Sequence, residues 1–264
     1  MYDDITLAEK LNCLKKIIGQ YQRILVAFSG GVDSTLLLTV CNQVLPGRVT
    51  AVTVKTIAHP EKEIRQAAEL AQSLGVRHYT LDATEISRPI FAENPVNRCY
   101  FCKRLIFERL QAEARSQDID AVVDGSHLDD REEERPGIRA LRELGIVTPF
   151  KQAGLDKNDI RLISKQLGLP THDKPAQPCL ATRFLPGERI DESKLSMVEL
   201  AEDYLARQGL VNHRVRYRNG EARIETNSEG MAKLLDINTI DALREALLAL
   251  GFSGICLDLN ARQG

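Results

Sequence analysis

The chain has 264 residues, 43% hydrophobic and 27% charged, with a formal net charge of −2 at pH 7. That length suits one large domain, or a large domain with a small one, and the composition is that of a soluble globular protein. The near-zero charge argues against a general nucleic-acid partner, which calls for a basic excess.

No apolar run reaches the ~18 residues that cross a bilayer, so no membrane association is expected. The opening MYDDITLAEK has neither the basic nor the apolar region of a signal peptide. The expected location is therefore the cytoplasm, where six cysteines are poor candidates for stable disulfides.

Leu7, Leu11, Leu14, Ile17 and Ile18 recur at helical spacing, which predicts a helix over 5–19 carrying Cys13 as a packed or idle thiol. Ile24–Phe28 reads as a buried strand. Ser29, Gly30 and Gly31 break that run. Asp33, Ser34 and Thr35 stand where a helix would start, and Leu36, Leu37, Leu38, Val40 and Cys41 follow on it. A second strand, Val49–Val54, leads to a helix over Glu61–Leu74 and a third strand, His78–Leu81. Pro89 and Pro95 bracket a loop. A helix is expected from Tyr100 to Arg115, a short strand at Ala121–Val123, a helix at Gly137–Leu144, a strand at Ile146–Thr148 and a helix at Lys157–Leu167. Strands alternating with helices predict an α/β fold, a parallel sheet covered on both faces, with its strand C-termini along one ligand-binding edge.

Pro170–Pro186 holds four prolines and no periodicity, and reads as a long interdomain loop. A helix over Asp191–Gln208 follows. Alternation on both sides of Asn219-Gly220 then predicts a hairpin of Arg214–Tyr217 with Ala222–Glu225. Further helical segments and a strand at Ile255–Leu259 complete a small α+β unit. The expected organisation is a large domain over 1–172, a linker over 173–190 and a small C-terminal domain over 191–264.

A strand, a glycine turn and a helix start together form an anion cradle: the glycines let backbone N–H groups approach a phosphate, and the helix's positive end favours its charge. The loop has no lysine and no GxxxxGK[ST], so it is not a Walker A site, and without GxGxxG dinucleotide binding is disfavoured. Ser29-Gly30-Gly31-Val32-Asp33-Ser34 resembles the SGGxDS loop of the ATP pyrophosphatase (PP-loop, adenine nucleotide alpha hydrolase-like) superfamily. Those proteins split ATP between the α- and β-phosphates and hold the departing pyrophosphate in this loop. Lys55, Gly125 and Ser126 stand at other strand ends on the same expected edge. Asp124, Asp129 and Asp130 are candidates for Mg²⁺, with solvated loop carboxylates as the alternative.

Cys99-Tyr100-Phe101-Cys102 is a CxxC at a helix start, and Cys179 stands alone in the proline-rich loop. A CxxC by itself is compatible with a redox dithiol, half a zinc site, iron–sulfur ligation or coincidence. No second pair closes a four-ligand zinc site. Three cysteines without a fourth suit a 4Fe–4S cluster with one open iron.

SGGVDS, NRCYFCK, DGSHLDD with RPGIRA, and DKPAQPCLATR ahead of RVRYRNGEARIE occur in one order. Together they resemble the ATP-dependent sacrificial sulfur transferase (LarE) family over nearly the whole chain. The resemblance implies adenylation of the carboxylates of a pyridinium dicarboxylate mononucleotide and their conversion to thiocarboxylates for the nickel-pincer nucleotide cofactor. In one branch the sulfur comes from a cysteine matching Cys179, which ends as dehydroalanine. In another, cysteines matching Cys99, Cys102 and Cys179 bind a 4Fe–4S cluster thought to carry the donor sulfide. This chain, having all three, is placed in the cluster branch.

Phosphoryl-type transfer needs positioning and charge neutralisation, so Mg²⁺ and a cation such as Lys103 are expected beside the ATP phosphates, with Asp33 of the loop and Cys179 as the other catalytic candidates. The resemblance further implies a homo-oligomer with Arg214 and Arg216 near an intersubunit phosphate site. Read from the residues alone, alternation puts Arg214 and Arg216 on one strand face, either for a substrate phosphate or as a solvated face paired with Glu225. Arg183 is a further candidate for that phosphate. The rival readings are a tRNA thiolase, which needs an RNA platform, an ammonia-using synthetase such as NAD synthetase, which leaves the cysteines unused, and a nucleotide sensor without chemistry.

Overall fold

The computed structural model describes residues 6–133, 135–175, 178–235, 237–260 and 262. The chain divides into two compact units, residues 1–87 with 97–177 and residues 88–96 with 178–264.

The first unit opens with α1 (Leu7–Ile18), whose start is set by a capping box: Thr6 accepts the Glu9 N–H, and the Glu9 carboxylate accepts the Thr6 N–H. β1 (Ile24–Ala27), α2 (Val32–Val44), β2 (Val49–Lys55), α3 (Glu61–Ser73) and β3 (Arg77–Asp82) follow. Then come α4 (Thr84–Glu93), α5 (Arg98–Ser116), β4 (Ala121–Val123), α6 (Pro136–Glu143), α7 (Pro149–Gln152) and α8 (Lys157–Gln166). The strands form a parallel sheet in the order β3-β2-β1-β4, so the α/β class expected from the sequence is present.

Side chains alternate along β1. Ile24 and Val26 join a core with Leu14, Ile18, Leu37 and Leu38 on one face, and Leu25 joins Val52, Phe107 and Leu110 on the other. A run without polar residues is what a strand covered on both faces requires. Because β1 is flanked by β2 on one side and β4 on the other, the winding direction reverses there. The crevice beyond the C-termini of β1 and β4 is a topological switch point, where open α/β sheets bind ligands.

The second unit contains a 3₁₀ turn at Leu180–Arg183, α9 (Glu192–Arg207), β5 (His213–Arg218), β6 (Glu221–Thr226), α10 (Ser228–Leu234), α11 (Ile237–Ala249) and β7 (Gly254–Leu257). β5 and β6 form the expected antiparallel hairpin, with positive φ at both Asn219 and Gly220, and β7 adds in parallel to β6. Asp191 caps α9 by accepting the Lys194 N–H.

Three local expectations are corrected. The loop expected around Pro89 is helical through that residue. Proline withholds one N–H there, and the residue four before it, Glu85, lies in an exposed first turn where water can satisfy its carbonyl. The strand expected at Ile146–Thr148 is reduced to one bridge, Val123↔Val147, because Pro149 begins α7 two residues later. The proline-rich loop contains the 3₁₀ turn after Cys179.

Residues 88–96 join the second unit through their backbone and Asn94. That side chain donates to the carbonyls of Leu185 at 2.6 Å and Glu188 at 2.9 Å, and the Asn94 carbonyl accepts from Gly187 at 2.7 Å. Leu25→Ala removes a fully buried side chain from the central strand, and should cost about 2–5 kcal/mol of stability in urea unfolding. A loss below about 1 kcal/mol would show that this face of β1 is not a packed core.

Candidate active site

The residues after β1 build the phosphate loop. The Phe28 N–H still pairs with the Val52 carbonyl at 2.9 Å, then the chain turns through Gly30 at φ +70° and enters α2 at Gly31. A Cβ on Gly30 would stand 3.2 Å from the Ala67 Cα, so α3 packs directly on the loop. The hydroxyls of Ser29 and Ser34 lie 3.1 Å apart, and the Gly31 N–H donates to the Ser29 hydroxyl at 3.4 Å. Val32, Asp33 and Ser34 occupy the first turn of α2, where N–H groups lack intrahelical partners and the helix dipole favours an anion.

The loop beyond β4 closes the cradle from the other side. A Cβ on Gly125 would lie 3.3 Å from the Asp33 backbone carbon, the Asp33 Cβ and the Ser34 nitrogen. Asp124 accepts from Lys103 Nζ at 2.9 Å, from the Ser126 N–H at 2.9 Å and from the Ser126 hydroxyl. Burial pushes the Asp124 carboxyl up, but the Lys103 ammonium and the Ser126 donors outweigh it and hold the group below the usual carboxylate range. A depressed carboxyl contributes stability that is fully present above its unfolded pKa, so this pair is intact at neutral pH and is lost only as pH falls through the lowered value.

Between these loops lies a cleft of about 330 Å³. One end is polar, with Ser29, Gly31, Asp33, Ser34, Asp124 and Ser126, and the wall is apolar, with Val52, Val54, Ile106, Phe107 and Leu110. An anion cradle beside an apolar slot has the shape and polarity of a nucleotide site.

The other residues singled out from sequence fall in different places. Lys55 ends β2, and its ammonium pairs with Glu61. Asp130 lines the cleft, where its carboxylate pairs with Arg135 and accepts the His127 N–H at 3.1 Å. Asp129 is exposed and accepts the N–H of Lys157, the first residue of α8.

Cys99 is exposed and Cys102 half-buried in the first turn of α5, beside Lys103. Cys179 is exposed and belongs to the second unit, immediately before the 3₁₀ turn. Among the described residues, no group of three or more Cys, His, Asp or Glu side chains is gathered to hold a metal ion. The donor chemistry nonetheless suits iron–sulfur ligation, since two thiols three positions apart, one exposed and one half-buried, lie on one helix.

The three arginines come together within the second unit. Arg183 is buried and makes a two-pronged pair with Glu202 at 2.8 and 2.9 Å. Arg216 makes one with Glu225 at 2.9 and 3.0 Å, and Arg262 reaches the same carboxylate at 3.0 Å. Burial, then the charges of Arg183, Arg262 and Arg216, pull the Arg214 guanidinium below its usual pKa, with Glu202 opposing them. Four guanidiniums around two carboxylates leave an excess of positive charge. The pairing of Arg216 with Glu225 foreseen as an alternative is present, and the excess remains beside it.

Sequence reasoning missed two lysines. Lys157 Nζ lies 2.5 Å from Asp33 Oδ1, and Lys174 Nζ donates to the Gly30 carbonyl at 3.1 Å. A loop with no lysine thus receives two from segments more than 120 positions away. Lys157 reads as an ordinary helix start. The only signal for Lys174 is its place in the DKP of the proline-rich stretch.

A glycine-bearing SGGVDS turn at the switch point of a parallel sheet, facing an apolar slot, defines a PP-loop protein. The NAD synthase family model matches residues 7–117. An uncharacterized protein of Synechocystis sp. is 38% identical over 97% of this chain and 96% of its own length. The pyridinium-3,5-bisthiocarboxylic acid mononucleotide synthase of Lactiplantibacillus plantarum is 35% identical over 97% of this chain and 92% of its own. A tRNA-specific 2-thiouridylase of Desulforamulus reducens is 26% identical over 58% of this chain and 53% of its own. The chain belongs to the LarE family of ATP-dependent sulfur transferases within the PP-loop superfamily.

Gly125→Val would drive a branched side chain into the Asp33–Ser34 backbone. ATP affinity measured by calorimetry should fall by at least about tenfold, the equivalent of one strong hydrogen bond to a charged group. Undiminished affinity would mean that the two loops do not jointly hold the nucleotide.

Proposed function

We propose that the protein adenylates the carboxylates of a pyridinium dicarboxylate mononucleotide and converts them to thiocarboxylates, supplying a nickel-pincer nucleotide cofactor. The observation that carries this reading is the phosphate cradle of Ser29–Ser34 closed by Gly125, in a chain 35% identical over 97% of its length to a protein named for the bisthiocarboxylic product. A carboxylate resists substitution because oxide is a poor leaving group. Its oxygen attacks the α-phosphorus of ATP, the α–β bridging P–O bond breaks, and pyrophosphate leaves on the Gly30, Gly31 and α2 N–H groups.

Lys103 neutralises charge at the Asp124 side, with Lys157 and Lys174 close to the loop. Asp124 and Asp130 line the cleft together with Asp33, and these carboxylates would hold the Mg²⁺ that accompanies ATP, which would offset phosphate charge. Positioning and charge neutralisation supply most of the rate enhancement in phosphoryl-type transfer.

Sulfur then attacks the acyl carbon, and the C–O bond to AMP breaks. If Cys179 is the donor, its Sγ forms the new C–S bond, and the bond from Sγ to its own Cβ later breaks as the Cα proton passes to a base. Dehydroalanine and a thiocarboxylate result. Cys99, Cys102 and Cys179 would hold a 4Fe–4S cluster, which when bound would supply sulfide as the alternative donor. Arg214, Arg216 and Arg183 bind the 5′-phosphate of the substrate through the positive excess around Glu202 and Glu225. The protein acts in the cytoplasm as a homo-oligomer. Among the described residues no helix is long and apolar enough to cross a membrane.

Cys179→Ser should still release pyrophosphate in the presence of the dicarboxylate mononucleotide and form no thiocarboxylate, followed by mass spectrometry. Thiocarboxylate formed by this variant would remove Cys179 from the chemistry. A loss of about 34 Da from the intact natural protein after one turnover, the mass of H₂S, would mark Cys179 as the consumed donor.

Anaerobic reconstitution with iron and sulfide should yield about four of each per chain, lost in Cys99→Ala. Zinc in place of iron, with no absorbance in the visible, would overturn the cluster assignment.

A further inference from the structure

The cleft holds a side chain that the reaction as described does not use. His59 lies between β2 and α3, directly before the α3 cap residue Pro60, and lines the same cleft as the phosphate loop. Its position is held from two sides. α3 abuts the loop where Gly30 approaches Ala67, and the His59 N–H donates to the Thr56 carbonyl at 3.1 Å.

The ring's protonation pattern can be read from its neighbours. His59 Nδ1 accepts the Thr56 backbone N–H at 3.1 Å and faces the Thr56 hydroxyl at 3.0 Å. A ring nitrogen that receives an N–H cannot itself carry a proton, so the neutral ring has its proton on Nε2. Burial pulls the His59 pKa below its ordinary value, which keeps the ring uncharged at neutral pH. Among the described residues, Nε2 has no hydrogen-bond partner. The cleft is therefore furnished with one fixed, uncharged N–H donor.

We propose that His59 is a nucleotide-specificity residue whose Nε2–H donates to an uncharged acceptor of the adenosine moiety of ATP. The chemistry separates this from a phosphate role. Phosphate oxygens are served by the backbone N–H groups of α2's first turn and by the lysines beside the loop. A neutral imidazole adds little there. The apolar wall of Val52, Val54, Ile106 and Phe107 suits the base, and a base or ribose in that slot presents ring nitrogens and hydroxyls that match a neutral donor. A donor covered by the bound ligand also penalises ligands that bring no acceptor to it, which turns one hydrogen bond into selectivity.

This inference rests on the reading of the cleft as an ATP site, and the test separates the two. In the full-length protein, His59 is replaced by Nε2-methylhistidine, which keeps the Nδ1 acceptor for Thr56 and blocks only the donor. Affinities for a non-hydrolysable ATP analogue and for pyrophosphate are then measured by calorimetry. The ATP analogue should bind about five- to tenfold more weakly, the loss of one buried hydrogen bond, and pyrophosphate should bind as before. Unchanged affinity for the analogue overturns the role of His59, and so does an equal loss for both ligands, which would place the donor at the phosphates. Failure of the unmodified protein to bind the analogue at all would overturn the nucleotide reading of the cleft itself.

Discussion

The active-site geometry depends on two close backbone approaches at which even a methyl group would be crowded. At Gly30, α3 comes near enough that a Cβ would meet the Ala67 Cα at 3.2 Å, and at Gly125, in the loop after β4, a Cβ would stand 3.3 Å from Asp33 and Ser34. Between them the first turn of α2 is fixed with its N–H groups directed out of the sheet edge. A helix N-terminus exposed to water would solvate those groups equally well, but it would bind nothing in particular. Holding the turn rigid on both sides is what makes it a receptor for an oligophosphate, because the donors need not reorganise when charge arrives.

Charge is distributed around this turn instead of being built into it. A Walker A loop carries its lysine in the motif, whereas here the cations come from elsewhere in the chain. Lys157 stands at the start of α8, Lys174 follows α8, and Lys103 lies on α5. Each has a partner within the protein, Asp33, the Gly30 carbonyl and Asp124 respectively. Such pairs orient long side chains that would otherwise lose rotamer freedom on binding. Two of the three ammonium charges are offset by a carboxylate, that of Lys157 by Asp33 and that of Lys103 by Asp124. The second unit follows a similar logic, since Glu202 and Glu225 hold Arg183 and Arg216 by two-pronged pairs and a net positive field remains.

The sulfur-bearing residues sit on two kinds of support. Cys99 and Cys102 share one turn of α5, immediately before the lysine that meets Asp124, so helix geometry ties the CxxC to the cleft. Cys179 precedes a 3₁₀ turn whose Thr182 donates through its N–H and its hydroxyl to the Cys179 carbonyl, at 2.9 and 2.8 Å. The thiol is thus carried on a short ordered element, and Arg183 in that same turn anchors it to α9 through Glu202.

Short-range patterns carried much of this in the sequence itself. The apolar Ile24–Phe28 run, the glycine break and the polar helix start identified the phosphate loop because each is a local backbone preference. Asn219-Gly220 identified the hairpin for the same reason. The CxxC was legible at a helix start, and Cys179 only as a residue, without the 3₁₀ turn that follows it. Only the tertiary structure decided what depends on separations of tens to more than a hundred residues: the sheet order that puts β4 beside β1, the arrival of Lys157 and Lys174 at the loop, and the attachment of residues 88–96 to the second unit. His59 was illegible for a different reason: a histidine in a loop signals nothing alone, and its tautomer follows from a local contact, the Thr56 N–H three residues earlier donating to Nδ1 in the plane of the ring. Local preference acts through neighbouring dihedral angles and can be read in order, whereas the long-range contacts exist only after the chain has closed on itself.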